Sequence, residues 1–212
     1  MSEIPVFQVL GAAESGSDSR YRQMRLGWRS SPDGLLIPSK ALPCQVLHLS
    51  GVLPPVPDAL VQLLHAECRR VGADGVFLDI PPESASLADT AARLARLGCT
   101  VYGRSAAGGM IPTYPEAERP ESVGRFAVSL TRRATLTTLG SDSAVRQTLS
   151  PSELQALLRR YAPQVAFSRE LAANYCTLAA DQRTQFLLFD TDETMQFRLL
   201  RLAESGAVAC FL

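Results

Sequence analysis

Apolar runs rich in β-branched and aromatic residues recur along the chain, separated by polar stretches with glycine and proline. They read PVFQVL (5–10), GLLIP (34–38), CQVLHLSG (44–51), GVFLDI (75–80), CTVYG (99–103), RFAVSL (125–130), QVAFS (164–168), TQFLLFD (184–190) and AVACFL (207–212). Most are continuously apolar rather than alternating, as in strands buried on both faces, and predict a parallel sheet covered by helices. Other segments repeat apolar residues at helical spacing. PDALVQLLHAECRRVG (57–72) sets Leu60, Leu63, Leu64 and Cys68 on one face and stops at Gly72. SLADTAARLARLG (86–98) repeats Leu87, Ala91, Leu94 and Leu97 before Gly98. SPSELQALLRRYAP (150–163) opens with a capping box, Ser150 with Glu153, and puts Pro151 at the first helical position. DTDETMQFRLLRLAESG (190–206) carries acids in its first turn, arginines later and Gly206 as a stop.

Strand, helix, glycine, strand is a β/α pattern. An open doubly wound sheet and a closed (β/α)8 barrel both fit it. The barrel is favoured because pairing AVACFL with PVFQVL removes two bare apolar edges. The expectation is therefore a compact, reduced (β/α)8 TIM-like barrel forming one domain over residues 1–212. Its length of 212 residues is near the lower limit for that fold, so some helices are short or missing. Stretches 11–33 and 104–124 carry the weakest pattern. The second reads either as a loop on the functional face of a barrel or as a plain surface loop.

Composition narrows the function classes. Twenty-one basic and twenty-one acidic residues give zero formal charge and no electrostatic footprint for nucleic acid or a membrane. No run approaches a membrane span. The opening MSEIPVFQVLGAAESGSDS lacks the basic and apolar regions of a secretory signal, so a cytoplasmic location is expected. The five cysteines, at 44, 68, 99, 176 and 210, are scattered without a CxxC pair. They read as free thiols, with no metal or other cofactor expected.

The densest candidate chemistry lies in GADGVFLDIPPES (72–84), with Asp74 at its entrance, Asp79 near its exit and Glu83 beyond two prolines. Asp79 and Glu83 can be read as a two-carboxylate catalytic pair, one carboxyl raised to act as the acid. The favoured reading is a strand-end acid accepting backbone hydrogen bonds and a cap for the next helix. GRSAAGG (103–109) could present backbone N–H groups and Arg104 to an anion, but it lacks the G-K-[ST] ending of a P-loop. Tyr102 either lines a mouth or packs in the core. His48 and His65 read as structural histidines. FSRELAANY (167–175) places Arg169, Glu170 and Tyr175 after a strand.

ADGVFLDIP resembles the fourth-strand signature D-G-x-D-x-D-x-E of family-18 glycoside hydrolases, the chitinase-like enzymes. Asp74 and Gly75 match its first two positions and Asp79 its last aspartate. The tail from Tyr175 is similar to that family's closing segment: a hairpin, an aspartate-bearing stretch with Asp190, a helix ending in glycine, and the last barrel strand. The resemblance implies a barrel and puts the stretch with Glu170 and Tyr175 beside the substrate cleft; with Asp74, Tyr102, Arg104 and Asp190 these make up the expected ligand-facing set. It also implies departures. Phe77 stands at the middle aspartate and Pro81 at the catalytic glutamate, which in that family protonates the glycosidic oxygen while the substrate's N-acetyl group attacks. The family's Tyr-Asp pair after the sixth strand finds only Thr131, Arg132 and Arg133 in FAVSLTRR. The expected function is a non-catalytic barrel that binds an oligosaccharide or peptidoglycan fragment, or a protein partner. The alternative is a hydrolase of N-acetylglucosamine-containing glycans with Glu83 as a displaced acid.

Overall fold

The computed structural model describes residues 4–16, 18–118, 124–140, 143–180 and 183–212. Part of the expected loop 104–124, residues 119–123, lies outside them. The elements begin with β1 (Val6–Leu10), β2 (Arg22–Ser31), β3 (Gly34–Leu36), β4 (Val46–Gly51), α1 (Asp58–Val71), β5 (Gly75–Asp79) and α2 (Leu87–Arg96). They continue with β6 (Thr100–Gly103), β7 (Ile111–Pro115), β8 (Phe126–Ser129), β9 (Ala134–Leu139), β10 (Ala144–Thr148) and α3 (Pro151–Tyr161). The last are β11 (Ala166–Ser168), β12 (Ala173–Ala180), β13 (Arg183–Phe189), α4 (Asp192–Glu204) and β14 (Ala207–Phe211). The chain divides into two compact units, Met1–Leu130 with Ala203–Leu212, and Thr131–Leu202.

The first unit is a closed parallel barrel. Its strands run β1-β14-β8-β7-β6-β5-β4-β2, and β2 pairs with β1 to close the ring. Closure rests on the predicted junction: Val6 pairs with Cys210 and Phe7 with Phe211, in parallel. Inside, Phe7, Met24, Val46, Tyr102, Ile111, Ala127 and Phe211 fill the barrel. Outside, Leu47, Leu49, Val76, Leu78 and Val101 pack beneath Leu60 and Leu64 of α1 and Leu87, Ala91 and Leu94 of α2. Helices are few for this fold, as its short length requires.

Three apolar runs leave the expected ring. GLLIP (34–38) forms only the short antiparallel return β3 on β2, while QVAFS (164–168) and TQFLLFD (184–190) belong to the second unit. Their places are taken by β2 and β7, from the two stretches with the weakest pattern. β2 is polar in sequence but held by specific bonds. Arg25, 2% exposed, donates to the carbonyls of Gly11 (2.9 Å), Glu14 (2.6 Å) and Pro43 (3.0 Å). Trp28 Nε1 donates to Glu67 on α1 at 3.0 Å, a carboxylate that Arg70 also grips.

The second unit is a five-stranded antiparallel sheet, β10-β9-β13-β12-β11. α3 covers it by setting Leu154, Leu157, Leu158 and Tyr161 on Leu136, Cys176, Leu178, Leu187 and Phe189. The predicted capping box is formed: Ser150 N donates to Glu153 Oε2 at 2.7 Å, and Glu153 N to Ser150 Oγ at 3.3 Å. The β12–β13 hairpin, Asp190 and α4 follow in the expected order.

Candidate functional site

Alternation along β5 sends Val76 and Leu78 outward to the helices and Phe77 and Asp79 inward. Asp79 is the last residue of its strand, so its carboxylate stands at the carboxyl-terminal mouth of the barrel with its side chain 30% exposed. Arg104 directly follows the neighbouring strand β6, and its Nε donates to Asp79 Oδ1 at 2.7 Å. On the other side His48 of β4 brings Nε2 to 3.4 Å from Asp79 Oδ2, its ring stacked on Phe77 at 5.6 Å. Burial lowers the His48 pKa below 6.5 against the opposing pull of Asp79, so the imidazole is neutral near pH 7. Two further hydroxyls, Ser105 Oγ just after β6 and Thr113 Oγ1 within β7, are buried without a hydrogen-bond partner.

Below this cluster the barrel is full. Phe211 meets Phe7, Phe77 and Tyr102 at 5.2, 5.3 and 5.2 Å between ring centroids. Tyr102 is thus a filler, 6% exposed, its phenol pKa raised by burial. Asp74 lies at the other end of β5, some 16 Å from Asp79 at about 3.3 Å per residue. Glu83 sits exposed in the turn closed by Ser84 N to Pro81 O at 3.1 Å, before α2 begins. It does not cap that helix, whose N-cap is Ser86 without a side-chain bond. The reading of Asp79 as an acceptor of backbone hydrogen bonds is also revised, since the groups that meet it are the side chains of Arg104 and His48.

The glycine-rich loop packs on α2: Gly108, at φ +62°, lies so close that a Cβ would meet Ala88 O at 2.1 Å, and Arg104 pairs with Asp79. Glu170, Tyr175 and Asp190 belong to the second unit. Glu170 is exposed, with its carbonyl accepting from Arg201 at 3.2 Å; Tyr175 stacks on Phe186 at 5.6 Å; Asp190 is buried among arginines. Only Asp79 and Arg104 of the sequence candidates come together. His48, read as structural, joins them; its signal was position, three residues before the end of a strand adjoining β5. Among the described residues no group of three or more His, Cys, Asp or Glu side chains could hold a metal ion, and no helix is long and apolar enough to cross a membrane.

No protein-family model and no curated protein sequence matches the chain. Solved structures do. The spore cortex-lytic enzyme SleL of Bacillus megaterium superposes with a TM-score of 0.62 at 11% identity, over 98% of this chain and 70% of that one. A chitinase from Chromobacterium violaceum gives 0.62 at 8% identity, over 98% and 93%. A mutant class V chitinase from Nicotiana tobaccum, solved in complex with NAG4, gives 0.56 at 9%, over 99% and 93%. The chain has a chitinase-like fold. Counted from β1 around this chitinase-like barrel, β5 is the fourth strand, as the resemblance implied. The sixth, however, is β7, and FAVSLTRR is the seventh. β7 does carry Tyr114, but Tyr114 pairs with Val128 while Thr113 pairs with the inward Ala127, so the tyrosine faces away from the interior.

Proposed function

We propose that this glycoside-hydrolase-like barrel binds oligosaccharides containing N-acetylglucosamine, including peptidoglycan fragments, without hydrolysing them, and that residues 1–212 act as one such domain. The observation that carries the reading is the state of Asp79. Both its oxygens are engaged, by Arg104 and His48, and Pro81, which has no proton to give, stands where the resemblance puts the acid. The mouth presents a guanidinium, a carboxylate and an imidazole, groups that can hydrogen-bond a polyhydroxylated ligand. In a cytoplasmic setting the ligand would be a turnover fragment rather than intact wall.

Calorimetric titration with chito-oligosaccharides and peptidoglycan fragments, with the mixtures then analysed by mass spectrometry, tests this. Binding without cleavage is the expected result. Cleavage would establish a hydrolase and return attention to Glu83. No heat with any glycan would remove the carbohydrate reading and leave a protein partner.

A further inference from the structure

Strand register fixes what else stands level with Asp79 at the barrel mouth. On β4, Val46 and His48 face inward, and so therefore does Ser50. Ser50 pairs with Asp79 of β5 on one side and with Arg29 of β2 on the other. Paired residues of neighbouring strands share a face, so Arg29 also faces inward, while the preceding Trp28 points outward to Glu67. On β6, Tyr102 faces inward two residues before Arg104. One stretch of the rim thus carries Arg29, Ser50, Asp79 and Arg104 in that order, across β2, β4, β5 and the end of β6.

The two guanidiniums are not consumed by the fold. Arg29 is exposed, and among the described residues no hydrogen bond or ion pair engages its side chain. Arg104 gives Asp79 only its Nε, at 2.7 Å, which leaves its terminal Nη1 and Nη2 open to a second acceptor. Arg25, on the outward side of β2, is the opposite case: its Nε, Nη1 and Nη2 all donate within the protein. With His48 neutral near pH 7, this stretch of rim sets two positive charges against the single carboxylate of Asp79. A planar guanidinium with its terminal fork in solvent matches a carboxylate bidentately, which a sugar hydroxyl cannot reproduce.

We propose that the mouth selects glycans bearing a carboxylate on the sugar, and that Arg104 and Arg29 read it; this rests on the glycan-binding reading of the mouth. The ligand carboxylate docks on the terminal fork of Arg104 while Asp79 keeps the Nε and orients the guanidinium. Arg29 supplies the second positive charge from across Ser50. The lactyl carboxylate of a muramic acid and the carboxylate of a uronic acid both have this chemistry, and neutral chito-oligosaccharides lack it.

The test titrates the full chain calorimetrically with N-acetylglucosaminyl-N-acetylmuramic acid, its lactyl methyl ester and di-N-acetylchitobiose. The acid should bind about tenfold more tightly than its ester, and the margin should shrink at high salt, where exposed charges are screened. Arg104→Gln and Arg29→Gln should each narrow the margin, whereas Asp79→Asn, which removes the opposing charge, should widen it. Equal affinity for acid and ester in the wild-type chain would overturn this inference and leave the glycan reading standing. No heat with any of the three would remove both. A stem peptide free of sugar that binds as tightly as the acid would also overturn the inference, by moving the carboxylate off the glycan. The wild-type comparison decides the question even if a variant fails to fold.

Discussion

Two aspartates, one in each unit, are each held by two basic residues, yet they do opposite things. Asp190 has a fully buried side chain. It accepts from the backbone N–H of Arg133 at 2.8 Å, from that residue's guanidinium at 3.0 and 3.2 Å, from Thr194 at 3.3 Å, and from Arg198. Arg133 in turn donates to the carbonyls of Leu171 and Ala172, so one carboxylate ties β9, β13, α4 and a loop together. Among the described residues Asp79 pairs with two side chains, one of them the 66% exposed Arg104. The residue types match; donor count and burial do not. A buried acid with every lone pair occupied holds a fold, whereas a partly exposed acid with an exposed partner can exchange that partner for a ligand.

The contrast is sharpest in stability. Asp190→Ala takes the carboxylate from the buried Arg198, 3% exposed, and should cost about 3–5 kcal/mol in urea unfolding; a loss under about 1 kcal/mol would erase the distinction. Asp79→Asn should change stability by less than about 1 kcal/mol while weakening chito-oligosaccharide binding roughly tenfold, about 1.4 kcal/mol. Equal binding by the variant and the wild type would show that the mouth is not the site. Glu83→Gln should move neither stability nor affinity, because its carboxylate is exposed in a turn; abolition of a measurable hydrolysis would revive the displaced acid. The smallest effect concerns pH. The folded pKa of His48 lies below 6.5, so on acidification the unfolded chain takes up this proton first. The stability from neutral His48 is present above pH 6.5 and is lost as pH falls toward the folded value. Between pH 8 and 5 the melting temperature of His48→Phe should therefore fall less than that of the wild type, and parallel curves would contradict this.

Much of the fold was legible because buried parallel strands announce themselves as apolar runs, and both closing strands did. β2 was not, since RQMRLGWRSS owes its burial to Arg25 finding carbonyls and Trp28 finding Glu67, partners distant in sequence. β7 hid behind Pro112 and Pro115, and β9, β10 and β12 behind threonines and exposed positions suited to an antiparallel sheet. At the site, the strand-end position of Asp79 was readable from period two alone. Its neighbours were not, because which residue faces it depends on register: Ser50 pairs with Asp79, and that pairing sets His48 one step below on the same face. The sixth-strand comparison slipped by one for the same reason that β2 and β7 were missed.

The junction of Val6 and Phe7 with Cys210 and Phe211 also bears on how the molecule is made. A ribosome releases the first strand long before its permanent neighbour exists, and β8 likewise waits through the whole of Thr131–Leu202 for β14. Until β14 emerges, two open strand borders can recruit stray chains. Loss of β14 would leave the borders open for good, so quality control in the cell would meet a stop codon ahead of β14 as an aggregation problem rather than a minor trim.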